Sequence, residues 1–337
     1  MTCFWPRAKL PQATWRFYGA ALAGMTLWLG CASSPSGVAP VSCEVSHLQK
    51  PELPERGISA HRGAQLGCPV NTNGAFQRAI CLGVHQIELD VRSTADAVLV
   101  VAHDDRVTDE QGRTVRISES TIADVQNLKL DSCTGEMAGQ RIPTFEEALA
   151  VMPHNIWINV DIKENNPLVG RLVAETVAKA QRFNQVIFGA RDNTGLAVRR
   201  AAGEADEESW IANMSREIFR FQYVDTTINS CDEFIQLSFL RGPPSVEVID
   251  QLKQAGIRVN YSWLRDEDES ELRQDLEDLF DRGVDFVLVD HAGQAMEAAC
   301  ALGITPVVPR WSGTPPFTCS GLLAAHPRSD CSNSFHE

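Results

Sequence analysis

Three short apolar runs in this chain each end in residues that can do chemistry. They are Ile58-Ser59-Ala60-His61-Arg62-Gly63, Ile87-Glu88-Leu89-Asp90-Val91 and Val100-Val101-Ala102-His103-Asp104. A fourth, Asn159-Val160-Asp161-Ile162-Lys163, adds a carboxylate and an ammonium. Each run reads as a buried parallel strand. Glu88 and Asp90 are two apart, so on a strand they project from the same face. With Asp161 they form an all-oxygen set suited to one divalent cation, Ca²⁺ or Mg²⁺. Three close carboxylates without a cation would repel one another and raise their pKa values. Plain surface charge is the competing reading, but Glu88 and Asp90 alternate with Ile87, Leu89 and Val91, as barrel-interior positions do.

His61 and His103 suit proton transfer near neutral pH. Cleaving a phosphodiester needs a base for the attacking hydroxyl or water and an acid for the leaving alkoxide. Arg62 can grip a phosphoryl oxygen in a forked contact, and Lys163, two residues beyond Asp161 and on the same face, can do likewise. Trp263 offers either an apolar wall for the alcohol part of a substrate or a packing residue. His85 falls at the start of its strand, where stability dominates. His291, just after the last strand, is a further candidate. No G-x-S-x-G, H-E-x-x-H, Walker A or G-x-G-x-x-G pattern occurs, which removes the commonest serine-hydrolase, zincin and nucleotide-binding readings.

The elements that must position these residues alternate. Strands are expected at 57–61, 85–91, 156–162, 185–190, 209–213, 233–239, 257–262 and 284–290, with an extra one at 98–102 before His103. Helices are expected at 72–82, 145–152, 168–181, 195–202, 245–254, 270–280 and 294–301, the first capped by Asn71 or Thr72. Eight strands alternating with helices over roughly 250 residues fit a (β/α)8 TIM barrel. A doubly wound sheet shows the same alternation. A barrel, however, gathers the strand ends around one mouth, so that His61, Glu88, Asp90 and Asp161 can converge.

The chain has 337 residues, 44% hydrophobic and 22% charged, with a net charge of −14. That composition is globular, and the charge argues against nucleic acid as a partner. Arg7, Lys9 and Arg16 precede an apolar stretch from Phe17 to Gly30, which suits a secretory leader. It ends Leu27-Trp28-Leu29-Gly30-Cys31 before a Ser/Pro/Gly linker, similar to a bacterial lipobox. Cys31 is then the lipidated residue; the alternative is a cleaved leader with an incidental cysteine. The expected organisation is a leader at 1–31, a linker at 32–56, one catalytic barrel at 57–304 and a C-terminal tail at 305–337. The tail is either ordered by a crosslink or loose. The protein is expected to be exported to the bacterial periplasm or cell envelope and held to the membrane if Cys31 is acylated. Of ten cysteines, Cys3 leaves with the leader and Cys31 anchors. An even set remains, which in an exported protein suggests disulfides. Cys81 and Cys300, on expected helices, are alternatively small buried hydrophobes.

Together these residues resemble the glycerophosphodiester phosphodiesterase family. Its pattern is met by His61-Arg62-Gly63, Glu88-Leu89-Asp90-Val91, Thr94-Ala95-Asp96-Ala97, His103-Asp104, Ile142-Pro143-Thr144-Phe145-Glu146-Glu147, Asp161-Ile162-Lys163 and Gly283 to Asp290. The resemblance spans about Gly57 to Leu302. It implies a TIM barrel, a divalent metal at Glu88, Asp90 and Asp161, and a catalytic pair His61 and His103. It also implies phosphate binding by Arg62 and Lys163, and hydrolysis of a glycerophosphodiester to sn-glycerol 3-phosphate and an alcohol. The chain departs from the pattern at Val70, where the family usually has Glu, at Ala97, where it has Gly, and at Asp161, where Glu is commoner. Asp-x-Lys there is similar to sphingomyelinase D-type phospholipases, so cleavage of lysophospholipid or sphingomyelin is the same-class alternative. A surface lipoprotein that binds a ligand without turnover is the alternative from another class.

Overall fold

The computed structural model describes residues 52–65, 69–130, 139–190, 192–205, 212–216, 223–229, 232–238, 242–264 and 269–319. The leader, Cys31, most of the linker, and Cys43, Cys68, Cys133, Cys231 and Cys331 lie outside the described residues. The elements run β1 (Gly57–Ala60), α1 (Asn73–Cys81), β2 (Gln86–Ser93), β3 (Leu99–Val101), β4 (Arg106–Thr108), β5 (Thr114–Arg116), α2 (Ile122–Gln126), α3 (Phe145–Val151), β6 (Trp157–Ile162) and α4 (Pro167–Lys179). They continue with β7 (Val186–Gly189), α5 (Asp192–Ala205), β8 (Ala212–Arg216), α6 (Tyr223–Asn229), β9 (Phe234–Ser238), α7 (Val246–Gln254), β10 (Arg258–Trp263), α8 (Glu269–Asp281), β11 (Phe286–Val289) and α9 (Ala292–Ala301).

The strands β1, β2, β6, β7, β8, β9, β10 and β11 pair in parallel in that order. The ring closes where β11 meets β1, from Gly57 opposite Phe286 to Ala60 opposite Val289. This is the (β/α)8 barrel expected from the alternation, and it excludes a doubly wound sheet. β3 adds antiparallel to the upper part of β2. The β4–β5 hairpin and α2 form an insertion before α3, with a small core of Val100, Ala102, Ile117, Val125, Leu128 and Ile142. The hairpin, α2 and α6 are each too short to carry a periodic signal, so the pattern did not reveal them.

Side-chain alternation splits the barrel strands into two faces. Ile58, Ile87, Leu89, Val91, Val160 and Val259 join the helix-packed core, where each fully buried aliphatic contributes about 1.5–3 kcal/mol. The other face fills the barrel in layers. At the bottom Trp157, Ile187, Phe234 and Phe286 pack together, with the Arg258 guanidinium 5.1 Å from the Trp157 ring. Above them Gln86 Oε1 accepts from Ser59 Oγ at 2.8 Å and from Asn260 Nδ2 at 2.9 Å. The acidic residues lie above this layer. Register sets Asp90 directly beside Asp161, and Glu88 beside Asn159.

Helix starts are locally coded. Thr72 caps α1 by accepting from Ala75 N–H, Thr144 and Glu147 form a reciprocal capping box on α3, and Asn166 caps α4 ahead of Pro167. Such caps satisfy N–H groups that the helix itself leaves open.

The barrel bottom is closed by a strap. Gly57 has φ +147°, and a Cβ there would stand 2.2 Å from the His85 ring. His85 Nδ1 accepts from Ile58 N–H at 3.1 Å, and Nε2 lies 3.0 Å from the Thr305 carbonyl, to which it donates in that tautomer. Burial pushes this imidazole down to about 4, with the Thr305 bond opposing, so the ring is neutral near pH 7. The chain continues under the barrel. Val307 N–H donates to Gly83 O, Asn155 exchanges hydrogen bonds with Val308 and Arg310, and Trp311 packs edge-on against Phe317. Cys319 then forms a disulfide with Cys81. The tail is therefore crosslinked through residue 319. Cys300 is disulfide-bonded as well, so the free-thiol reading fails for both Cys81 and Cys300. Among the described residues no helix is long and apolar enough to cross a membrane.

Candidate active site

The mouth of the barrel collects what the first four sequence runs carry. Glu88, Asp90 and Asp161 are all buried, and each offers an oxygen such that the three atoms lie within 4.8 Å of one another. Lys163, two residues past Asp161, turns onto the same face. Its Nζ stands 2.7 Å from Asp90 Oδ1 and 2.6 Å from Asp161 Oδ2.

Arg62 reaches the cluster through an unusual backbone. Its φ is +58°, and Gly63 follows at +87°. A Cβ on residue 63 would fall 2.7 Å from the Ala75 backbone, so only glycine lets the chain pass this close to α1. The turn aims Arg62 N–H at Glu88 Oε2, 3.2 Å away, and Arg62 Nε at Asp90 Oδ2, 3.1 Å away. Asn71, also left-handed at φ +57°, clamps Asp90 from the other side. Its Nδ2 donates to Asp90 Oδ2 at 2.7 Å, and its Oδ1 accepts from Asp90 N–H at 3.3 Å. Burial opposes ionisation of Asp90, but Lys163, Asn71 and Arg62 hold its carboxyl below the usual carboxylate range.

Each histidine carries a carboxylate on Nδ1. His61 Nδ1 is 2.6 Å from Asp290 Oδ1, which also accepts from Gln65 Nε2 at 2.9 Å. Burial works against ionised Asp290, yet His61, Arg62 and His291 hold it below its ordinary value. His103 Nδ1 is 2.9 Å from Asp104 Oδ1. The pairs differ in solvation: the His61 and Asp290 side chains are 13% and 27% exposed, those of His103 and Asp104 38% and 76%. A carboxylate on Nδ1 fixes the Nδ1–H tautomer and leaves the Nε2 lone pair for proton transfer.

The structure brings together His61, Arg62, Glu88, Asp90, Asp161 and Lys163, and sets His103 immediately above β3. It places Trp263 elsewhere. Asn260 on β10 faces the barrel interior, so Trp263, three residues on, faces the helices. The indole is 3% exposed, and its Nε1 donates to Asp275 of α8 at 2.7 Å. The expected apolar wall at this position is thus a core residue. His291 sits exposed at the mouth, at the N-cap of α9.

Two residues of the site were not singled out from sequence. Asp290 ends the last barrel run much as His61 ends the first, and a carboxylate at a strand's C-terminal end is a readable signal in a barrel. Asn71 was read only as a helix-cap alternative; Thr72 takes the cap and frees Asn71 for Asp90.

A family model described as the glycerophosphoryl diester phosphodiesterase family matches residues 61–202. That segment starts at His61 and includes Arg62, Glu88, Asp90, His103, Asp161 and Lys163. Over these residues the chain is similar to the glycerophosphoryl diester phosphodiesterase family. The match agrees with the phosphoric diester hydrolase that the motifs implied. The chain is 28% identical over 254 residues to the probable glycerophosphodiester phosphodiesterase 2 of Mycobacterium tuberculosis, covering 72% of this chain and 90% of that one. It is 34% identical over 137 residues to the human Lysophospholipase D GDPD1, covering 39% and 43%. The chain thus spans nearly all of the first relative's length but less than half of the second's. Among solved structures, an Oleispira antarctica phosphodiesterase in complex with the product sn-glycerol-3-phosphate superposes with a TM-score of 0.57 at 20% identity, over 72% of this chain and 96% of that one. A crystal structure from Silicibacter pomeroyi gives 0.61 at 17%, over 80% and 100%. At these identities the structures support the barrel fold.

Proposed function

We propose that this protein hydrolyses a glycerophosphodiester to sn-glycerol 3-phosphate and an alcohol, with His61 as base and His103 as acid. The observation that carries this is the pair of histidines, each with a carboxylate on Nδ1, flanking a buried acidic cluster. His61 takes the base role because Asp290, better shielded from water than Asp104, stabilises the imidazolium that forms. His61 Nε2 removes the proton from the attacking water or hydroxyl as its oxygen bonds to phosphorus. The phosphorus–oxygen bond to the alcohol breaks, and protonated His103 gives its Nε2 proton to the departing oxygen.

The three carboxylates fit a hard divalent cation in donor type, separation and burial. Glu88, Asp90 and Asp161 would hold Ca²⁺ or Mg²⁺, which when bound would offset negative charge on the phosphoryl oxygens. Lys163 bridges Asp90 and Asp161 and, with Arg62, screens their mutual repulsion and sets their orientation. The lysophospholipid reading keeps support from the human relative's name and from Asp161 in place of Glu. The non-catalytic reading has no support from the intact set of acid, base and carboxylates. Cys31 remains our candidate for lipidation, with an envelope location; loss of membrane partitioning in Cys31→Ser would support it, and unchanged partitioning would refute it.

³¹P NMR of the purified protein with glycerophosphocholine and, separately, lysophosphatidylcholine tests the assignment. Glycerol 3-phosphate from the first substrate, abolished by chelator, is the expected result. A cyclic or monoester product from the lipid alone would move the chain to the lysophospholipid branch. No turnover of either would refute the catalytic reading for both substrate classes.

A further inference from the structure

Arg92 extends the row that Glu88 and Asp90 begin. The three residues alternate along β2, so their side chains share the barrel-interior face, with Arg92 nearest the mouth. The guanidinium is half-buried, and its Nε donates to the backbone carbonyl of His103 at 2.9 Å. That contact fixes the fork beside the candidate acid.

The cations below it already face carboxylates. Arg62 is paired with Asp90, and Lys163 with Asp90 and Asp161. The connected cluster holds four carboxylates, Glu88, Asp90, Asp161 and Asp290, against those two cations. A divalent cation at the acidic site would bring it to neutrality, leaving nothing to balance a phosphodiester's single negative charge. Among the described residues Arg92 makes no ion pair, and its two Nη groups make no hydrogen bond. Arginine left in this state presents a planar fork of donors that matches two phosphoryl oxygens.

We propose that Arg92 is a further substrate-binding residue whose Nη groups receive the phosphoryl oxygens beside His103, in addition to Arg62 and Lys163, which the sequence reading assigned to the phosphate. This rests on the diesterase reading above. The bond from Nε to His103 O orients the fork, and the Nη groups bind the substrate and the product phosphate.

The test compares wild type with Arg92→Gln and Arg92→Lys. Binding of sn-glycerol 3-phosphate is measured by calorimetry, turnover of glycerophosphocholine as kcat and KM, and folding by thermal melting. We expect Arg92→Gln to weaken product binding and raise KM at least tenfold with an unchanged melting temperature. Arg92→Lys should recover part of the affinity, because the charge remains and the fork is lost. Product affinity within twofold of wild type in Arg92→Gln, with kcat reduced, would show that Arg92 only holds the His103 loop and would overturn the proposal. A lowered melting temperature in both variants with unchanged product affinity would overturn it too. Wild type that neither binds glycerol 3-phosphate nor turns over the diester would overturn the diesterase reading and this proposal together. Wild type that does both, with variants that bind equally well, would overturn this proposal alone.

Discussion

His61 Nδ1 and Asp290 Oδ1 stand 2.6 Å apart although 229 residues separate them in sequence. The first and last strands of the barrel meet, and closure of the ring is what creates the pair. Asp290→Asn keeps the shape but offers an amide where a carboxylate held the Nδ1 proton. Activity on a glycerophosphodiester should fall by about 10²- to 10⁴-fold, with the melting temperature near that of wild type. Steady-state kinetics beside a melting curve checks this; an Asn variant with full kcat would remove Asp290 from the mechanism.

If His103 protonates the leaving oxygen, its importance depends on the alcohol. His103→Ala should cost about 10²-fold or more on glycerophosphocholine. On a diester with a nitrophenolate leaving group, which needs no proton, the loss should be much smaller. His61→Ala should impair both substrates alike. Equal losses for His103→Ala on the two substrates would contradict the acid assignment.

Lys163 holds two buried carboxylates with one ammonium. Lys163→Met leaves Asp90 and Asp161 side by side without it, and removing one partner of a buried ion pair typically costs about 3–5 kcal/mol. The variant should melt well below wild type in chelator and gain more from added Ca²⁺ or Mg²⁺ than wild type gains, since a cation can replace the lost charge. Equal metal-induced shifts in the two proteins would argue against a cation at these carboxylates.

His85 should make the barrel sensitive to mild acid. Its pKa is near 6.5 in the unfolded chain and about 4 when buried. Above pH 6.5 both states are neutral, and its contribution is complete. Between pH 6.5 and 4 the unfolded chain takes up a proton that the folded ring refuses, so stability falls as pH falls, by up to about 3 kcal/mol. Urea unfolding of wild type and His85→Gln at several pH values checks this. The wild-type advantage should shrink from pH 7 to pH 4.5; a constant gap would contradict it.

The Cys81–Cys319 disulfide closes a loop across 238 residues of sequence. Crosslinks of this kind stabilise by restricting the unfolded chain, typically by about 2–5 kcal/mol. Cys319→Ser should lower the melting temperature without changing KM, because the strap lies at the opposite end of the barrel from the carboxylates.

The strands were legible because each barrel strand is apolar on its helix-facing side and long enough to show it, and because the Thr72 cap marks the start of the first helix. The acidic cluster was legible from the two-residue spacing of Glu88 and Asp90. What the sequence withheld were relations across long separations. Asp290 becomes part of the site only when the ring closes. Asn71 becomes a clamp only when its left-handed turn faces Asp90. Trp263 looked like a mouth residue because it ends a strand, but one step of alternation sends it to Asp275. Lys163 and Arg62, read as phosphate ligands from their charge, their placement and the family resemblance, also contact carboxylates that only folding brings near.

The most direct measurement is a metal titration of fully chelated enzyme with glycerophosphocholine, followed by ³¹P NMR, for wild type and His61→Ala side by side. Wild type should be silent after chelation and produce glycerol 3-phosphate as Ca²⁺ or Mg²⁺ is restored, while His61→Ala stays silent throughout. Turnover by wild type that persists in chelator, or turnover by His61→Ala at the wild-type rate, would contradict a metal-assisted reaction carried by the histidine pair.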